Sequence, residues 1–155
     1  MSLAVRAPLA GTVVAIEDVP DPVFSGRLIG PGLAIDPNRT GREGSDIAAL
    51  APITGTLSKI HPHAYVIVSP EGRAVLVHLG VDTVELDGRG FTVRVAAGDR
   101  IRAGDPVISW SPARIEAGGR SPFVPVIALD AKEEALTLPP AGTILAAGDA
   151  ACTWA

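Results

Sequence analysis

A seven-residue phrase occurs twice in the first half of this chain, and the repetition limits the folds open to it. Ala7–Val13 reads APLAGTV and Ala51–Leu57 reads APITGTL. A looser third copy begins at Pro140, and the phrase Ala-Gly-Asp occurs at 97–99, 103–105 and 147–149. Such phrases predict a strand, a glycine turn and a second strand. A propeller or solenoid needs more copies at a constant period, so the repeats favour a duplicated β-sandwich or barrel.

Alternating apolar residues and β-branched residues predict an all-β chain. We expect a single domain over residues 1–155 with a core from about 7 to 150, built as an antiparallel sandwich or barrel with an internally duplicated (hybrid-barrel) motif and one or two very short helices. The predicted strands are Gly11–Ile16, Gly32–Ile35, Gly55–Ile60, His63–Val68, Arg73–Leu79, Thr92–Val95, Pro106–Trp110, Pro125–Leu129 and Thr143–Leu145. The helical segments are Pro112–Ala117, between an N-cap at Ser111 and a stop at Gly118, and one or two turns within Asp130–Leu136.

Charge and cysteine content exclude several classes of function. The chain of 155 residues has a net charge of −4, which is not the footprint of a nucleic-acid-binding protein. No apolar run approaches the ~20 residues of a membrane helix, and no signal peptide is evident. The single cysteine, Cys152, fits a reducing compartment. We therefore expect a cytoplasmic monomer without membrane insertion.

Two of the three histidines, His63 and His78, lie in a predicted hairpin whose turn is Ser69–Gly72. If the turn is centred between Pro70 and Glu71, paired residues have numbers that sum to 141, and His63 faces His78 directly. Opposite Cβ atoms in an antiparallel pair are about 4.5–5.5 Å apart. The register also predicts that Tyr65, Ile67 and Leu76 share the face of the histidines, whereas Ala64, Val66, Val75, Val77 and Leu79 point into the core.

Three interpretations of this histidine pair remain open from the hairpin alone. A neutral imidazole is a good nucleophile near pH 7, so one ring could accept a phosphoryl group while the other donates N–H bonds to its oxygens. The same pair could bind zinc, because imidazole is a common zinc ligand. The two rings could also simply fill the face of a sheet. Asp82 and Thr83 follow closely after His78 and could support a site, or serve as a turn-capping residue and an ordinary strand residue.

The run Val77–Leu86, VHLGVDTVEL, resembles the phosphorylation-site signature of the glucose-type enzyme IIA family of the phosphoenolpyruvate-dependent sugar phosphotransferase system. Val19–Phe24, Gly32–Ile35, Gly88–Phe91 and Val124–Ile127 also resemble that family, so the likeness extends from about residue 7 to 150. Two departures stand out. Pro31 replaces an Asp common in relatives, and the segment before His63 is shortened to Ile60-His61-Pro62, where relatives carry a Thr.

The resemblance implies a phosphotransferase component in which His78 accepts the phosphoryl group and His63 stabilises it. The donor would be the phosphohistidine of the carrier protein HPr, and the acceptor a cysteine on the IIB domain of a sugar permease of the glucose and N-acetylglucosamine class. Regulatory targets are a further class of partner. No cofactor is required, although zinc between His63 and His78 is conceivable in a complex. We expect HPr to dock on an apolar rim made of Leu33, Tyr65, Leu76, Leu79, Val84 and Phe91.

Two alternatives to a phosphocarrier are weaker. A zinc hydrolase of a duplicated-motif fold is suggested by His61-Pro62-His63, but only three histidines exist and no upstream His-x-x-x-Asp pair completes a site. A biotinyl or lipoyl carrier requires a lysine at an exposed hairpin tip, and neither Lys59 nor Lys132 has that context.

Overall fold

Antiparallel β-strands make up most of the molecule, which a computed structural model describes for residues 2–39 and 45–155. The strands are β1 (Leu3–Arg6), β2 (Gly11–Ala15), β3 (Gly32–Pro37), β4 (Ile47–Leu50), β5 (Gly55–His61), β6 (Ala64–Val68), β7 (Ala74–His78), β8 (Thr92–Val93), β9 (Arg100–Ile101), β10 (Pro106–Trp110), β11 (Val124–Ala128), β12 (Leu136–Thr137), β13 (Ile144–Leu145) and β14 (Ala150–Trp154). The helices are α1 (Pro22–Ser25) and α2 (Pro112–Ala117), and turns of 3₁₀ helix lie at Ile16–Asp18, Thr83–Leu86 and Glu133–Ala135. The predicted antiparallel all-β fold with very short helices is confirmed. No helix in the described ranges has the length and apolar character needed to cross a membrane.

The strands form one large sheet and two small ones. The large sheet has the order β13-β2-β3-β11-β7-β6-β5-β9, and the small sheets have the orders β1-β14-β12 and β4-β10-β8. Apolar side chains from all three sheets meet in one core, in which Tyr65 and Trp110 are the largest fully buried residues. Each such side chain stabilises the fold by about 1.5–3 kcal/mol through removal of apolar surface from water.

The two copies of the repeated phrase hold each other. The amide of Arg6 donates to the carbonyl of Pro52, and the amide of Leu50 donates to the carbonyl of Pro8, both at 2.8 Å. The two donors are separated by the same number of residues as the two copies of the phrase, and so are the two acceptors. The duplication therefore relates the two bonds. The repeated phrase therefore forms a reciprocal clasp between the halves of the fold.

The repeated glycine has the same physical cause in both copies. A Cβ atom on Gly11 would collide with the carbonyl oxygen of Asp36, and one on Gly55 would collide with the carbonyl oxygen of Val68. Only glycine lets the neighbouring strand approach this closely. The strands β2 and β5, which these glycines begin, are therefore equivalent elements of the two copies.

The Ala-Gly-Asp phrases form turns of one kind. The carboxylates of Asp99, Asp105 and Asp149 accept hydrogen bonds of 2.8–3.0 Å from the amides three residues earlier. The amide of each aspartate donates to the carbonyl of that same earlier residue, so the side chain and the backbone of the aspartate close the turn together. Each of these turns adjoins a two-residue strand at the edge of a sheet, which is β9 or β13.

Comparison of the predicted and observed elements shows where the sequence signal was weak. All nine predicted strands exist, with ends shifted by up to two residues, and α2 has the predicted bounds, with the Ser111 hydroxyl accepting from the amide of Arg114. The segment predicted at Asp130–Leu136 is a 3₁₀ turn at Glu133–Ala135. The prediction missed α1 and five strands of two to five residues, which are β1, β4, β9, β12 and β14.

Candidate functional site

The histidine hairpin is real, but its predicted register is wrong by one residue. His78 lies opposite Ala64 rather than His63, and Val66 lies opposite Leu76. The reason is the loop. The amide of Ser69 donates to the carbonyl of Arg73 at 2.8 Å, which leaves a three-residue loop that ends on Gly72 with φ of 91°. A three-residue loop with a left-handed glycine shifts the pairing by one relative to two- or four-residue loops.

The two imidazoles nevertheless meet, because His63 is not a strand residue. It occupies the two-residue turn between β5 and β6, where His61 and Ala64 are the last paired residues. Its carbonyl accepts a hydrogen bond of 2.7 Å from the amide of Leu79, which fixes the turn beside the end of β7. The ring centroids of His63 and His78 are 5.0 Å apart, with the edge of one ring against the face of the other at 72°.

The ring of His78 is held from two sides. Its Nδ1 lies 2.7 Å from the carbonyl oxygen of Gly80, and the ring of Phe24 packs against it at 5.1 Å between centroids. A carbonyl can only accept a hydrogen bond, so in the neutral ring the proton is on Nδ1 and the lone pair is on Nε2. Phe24 is placed by α1, whose N-cap Asp21 accepts a bond of 2.9 Å from the amide of Val23.

Both imidazoles are neutral at pH 7. Burial is the main cause that lowers the pKa of His63 to about 4, and the adjacent His78 and His61 contribute in the same direction. Burial also lowers the pKa of His78, although the Gly80 carbonyl and the carboxylates of Asp21 and Asp82 partly oppose this effect. A neutral His78 with its proton held on Nδ1 presents Nε2 as a nucleophile.

The structure gives Asp82 and Thr83 different surroundings. The Thr83 hydroxyl donates to the carbonyl of Leu79 at 2.8 Å, and the residue is 1% exposed. It therefore fixes the loop after His78 and does not face an incoming group. Asp82 is exposed, makes no side-chain capping bond to the 3₁₀ turn that follows, and acts on His78 through its charge.

Half of the predicted docking rim is wrong, because Leu33, Tyr65 and Leu79 are at most 2% exposed and lie in the core. The shift in register explains Tyr65, since it pairs Tyr65 with Val77 on the inner face. The alternation of the strand already directed Leu79 to that face. The hydroxyl of Tyr65 donates to the carbonyl of Leu50 at 2.7 Å, well inside the fold.

The other three predicted rim residues have some exposure. Val84 is 60% exposed, and Leu76 is partly buried beneath the small apolar cluster that contains Phe24. Phe91 is partly buried and stacks on Trp110 at 6.1 Å, so its main contact is with the core. Sequence reasoning missed Val23, which is 41% exposed on α1 next to Phe24. The signal that could have found α1 is Asp21-Pro22, an N-cap followed by proline at the first helical position.

The third histidine, His61, belongs to the same cluster. It ends β5 and is exposed, and its ring is stacked on His63 at 5.9 Å and 28°. His63 is thus the one ring in contact with both of the others. In the described ranges no group of three or more His, Cys, Asp or Glu side chains is placed to hold a metal ion. Zinc between His63 and His78 would therefore need ligands from a partner.

Comparison with known proteins identifies the family and several relatives of this chain. The family model for the phosphoenolpyruvate-dependent sugar phosphotransferase system, EIIA 1, matches residues 3–134. The glucose-specific EIIA component of Staphylococcus aureus (strain COL) is 39% identical over 127 residues, covering 81% of this chain and 72% of the relative. That of Halalkalibacterium halodurans is 36% identical over 147 residues, covering 94% and 81%. The solved structure of glucose permease IIA from Mycoplasma capricolum aligns with a TM-score of 0.86 at 30% identity, over 99% of this chain and 96% of that one.

A second solved structure resembles this chain in fold alone. The M23 metalloprotease pseudoalterin aligns with a TM-score of 0.51 at 11% identity, over 81% of this chain and 69% of that one. In the part of the chain that the structure describes, no group of three or more possible metal ligands is found. The family match and the EIIA relatives do not favour the hydrolase alternative raised by His61-Pro62-His63.

Proposed function

Because this chain belongs to the EIIA 1 family of the phosphoenolpyruvate-dependent sugar phosphotransferase system, we propose that it carries a phosphoryl group on Nε2 of His78. The donor is the phosphohistidine of HPr, and the acceptor is the cysteine of a IIB domain of a glucose-class permease. The observation that carries the proposal is the bond of 2.7 Å between Nδ1 of His78 and the Gly80 carbonyl, which leaves Nε2 free. This chemistry belongs to the cytoplasmic side of a sugar permease, and a monomer suffices for it.

The transfer is an in-line displacement at phosphorus. The Nε2 lone pair of neutral His78 forms the new N–P bond while the N–P bond to the donor breaks, and the donor nitrogen leaves with that electron pair. The proton stays on Nδ1, hydrogen-bonded to the Gly80 carbonyl, so it need not move during the transfer. Catalysis of such a step consists mainly of positioning and charge stabilisation.

His63 is the residue placed to stabilise the transferred oxygens. Its ring lies 5.0 Å from that of His78, and at neutral pH it is uncharged because burial lowers its pKa to about 4. A neutral imidazole keeps one N–H to donate to a phosphoryl oxygen. It can also accept a proton as negative charge accumulates beside it, and this favours the phosphorylated state.

The surface around His78 suits protein partners that combine apolar and basic groups. Val23 and Val84 are exposed apolar residues on the two segments that flank the ring. The carboxylates of Asp21 and Asp82 lie close enough to influence the charge of His78. Apolar contact would exclude water from the labile N–P bond, and the carboxylates would steer a basic partner.

Intact mass spectrometry after incubation with phosphoenolpyruvate, enzyme I and HPr tests the proposal. The wild type should gain one acid-labile phosphoryl group, and His78→Gln should gain none. His63→Gln should still accept the group but pass it slowly to a IIB domain. Lys132→Gln, far from the histidines in sequence and exposed, is the control and should behave as the wild type. A wild type that stays unmodified, or a His78→Gln variant that is still phosphorylated, would refute the assignment.

A further inference from the structure

The ring of His63 lacks the support that the ring of His78 has. His78 is fixed by a hydrogen bond to Gly80 and by Phe24. In the described part of the chain, no hydrogen bond reaches the ring of His63, whose ring contacts are with His78 and His61. His63 also lies in a turn, where no neighbouring strand fixes its side chain. Whatever orients this ring must therefore act through its faces and edges.

From this we infer that His61 is a positioning residue, whose ring stacks on His63 and holds it in the orientation that serves the phosphoryl group on His78. The inference rests on the proposed function. Three features support it: the near-parallel contact at 28° between the rings, the chain geometry that produces the contact, and the electrostatic effect of His61 on its neighbour.

The chain geometry makes the contact a property of the shortened turn. His61 is the last residue of β5, and Pro62 and His63 form the whole connection to β6. Proline fixes its own φ, so the path from one histidine to the next has little freedom. Pro62 in turn faces Gly88, where an added Cβ would lie 3.3 Å from the proline ring. The segment that follows the site thus supports the turn that carries the ring pair.

The electrostatic effect of His61 on His63 also supports the inference. Burial is the main reason for the low pKa of His63, His78 adds to it, and His61 adds a third contribution. His61 thus makes the smallest of three contributions that keep His63 uncharged before the phosphoryl group arrives. The charged groups on the surrounding elements are Lys59 on β5, Asp87 and Arg89 beside Gly88, and Asp21 and Asp82 near His78.

The kinetic consequence belongs to the step in which His63 acts. If His63 serves the donation of the phosphoryl group, loosening its ring should slow transfer from phosphorylated protein to a IIB domain. It should leave acceptance from HPr nearly unchanged. Misplacement of a catalytic group by about 1 Å can cost about 100-fold. A ring that is loosened but still present should cost about 3- to 10-fold in the rate at saturating IIB.

The test compares His61→Ala, His61→Phe and Lys59→Gln with the wild type. Lys59→Gln is the matched control, because it removes an exposed side chain two residues earlier on the same strand. We expect His61→Ala to lower the saturating rate of donation by about 3- to 10-fold with KM for IIB nearly unchanged. His61→Phe, which keeps a flat ring, should recover most of the rate. The double variant His61→Ala/His63→Gln should be no slower than His63→Gln alone.

A spectroscopic arm uses the unphosphorylated protein, so it does not depend on the proposed function. Long-range ¹H–¹⁵N spectra should show one defined state of the His63 ring in the wild type and in His61→Phe. His61→Ala should show averaged signals. The inference is overturned by an unchanged His63 ring in His61→Ala, by a loss confined to KM, which would indicate partner contact, or by a failure of His61→Phe to restore the rate. A wild type that takes no phosphoryl group would instead refute the proposed function.

Discussion

Replacement of His63 by glutamine should make the protein less sensitive to acid. In the folded state burial lowers the pKa of His63 from 6.5 to about 4. The unfolded chain therefore binds a proton at this ring as the pH falls below 6.5, whereas the folded protein does not bind it until about pH 4. Protonation in this window favours the unfolded state, so the stability supplied by a neutral His63 is present at pH 7 and is lost as the pH falls.

The size of this effect on stability follows from the lowered pKa of His63. A difference of about 2.5 units corresponds to about 3.4 kcal/mol at 1.36 kcal/mol per unit. The ring is only partly buried, and solvent screening reduces the effect to about half of this value. We therefore expect the wild type to lose about 1.5 kcal/mol more of its free energy of unfolding between pH 7 and pH 4 than His63→Gln does.

Urea denaturation followed by tryptophan fluorescence measures this difference. Trp110 is fully buried and Trp154 is 8% exposed, so unfolding exposes both to water. Carboxylates titrate in the wild type and in the variant alike, and subtraction of the two curves isolates His63. His61→Gln keeps the buried ring and should retain most of the acid sensitivity. Parallel pH curves for the wild type and His63→Gln would show that the ring is not held neutral by burial.

Two further predictions concern the loop that follows His78. Gly80 has φ of 82°, and a Cβ there would lie 2.6 Å from Cγ2 of Thr83, so Gly80→Ala should lower the free energy of unfolding by about 2–4 kcal/mol and slow phosphorylation. Gly90→Ala is the control, because its φ is 89° with open space around it and it should cost about 1 kcal/mol in the same denaturation assay; equal losses would contradict the steric argument. Thr83→Val removes the bond of 2.8 Å to the Leu79 carbonyl and should lower the free energy of unfolding by about 1–2 kcal/mol. Thr83→Ser keeps the hydroxyl and should lower it by less. A serine variant as unstable as the valine variant would show that the hydroxyl is not the cause.

The sequence was sufficient to find the histidine pair but not the reason that the rings meet. Alternation placed His63 and His78 in one hairpin, and that hairpin exists. The register depended on how many residues the loop leaves unpaired, which a left-handed Gly72 decided. With the observed register, the two rings would lie apart if His63 were part of a regular strand. They meet because His63 lies in the short turn Pro62-His63 and does not follow the alternation of β6. The conclusion that the two rings meet was right, although the strand register from which it was drawn was wrong.

The errors in the docking rim have a second origin besides the register. Which face of a strand is buried depends on the sheets that pack against it, and these come from distant parts of the chain. Both faces of β6 and β7 are largely apolar, so the residues of these strands do not tell which face meets the core. The short strands β1 and β14 were missed for a similar reason, because each has its main partner at the other end of the chain.

The site exists because the two copies of the duplicated frame are not equal. In the large sheet the order β2-β3-β11 on one side mirrors β5-β6-β7 on the other, and β2 and β5 begin with the equivalent glycines. Two residues join β5 to β6, and this turn places His63 where β7 ends. A much longer connection joins β2 to β3. The strand β3 starts at the end of the large sheet where β7 begins.

That longer connection must fold back across the sheet to reach His78. It does so over Leu76 and Ile127, with which Phe24 forms the small apolar cluster. One copy therefore supplies the short turn that carries His63, and the other supplies the wall that Phe24 makes against His78. A shorter connection between β2 and β3 would preserve the strand pairing and the clasp between the halves, but it would remove the wall. The duplication explains the frame, and the departure from duplication explains why the nucleophile lies at one end of it.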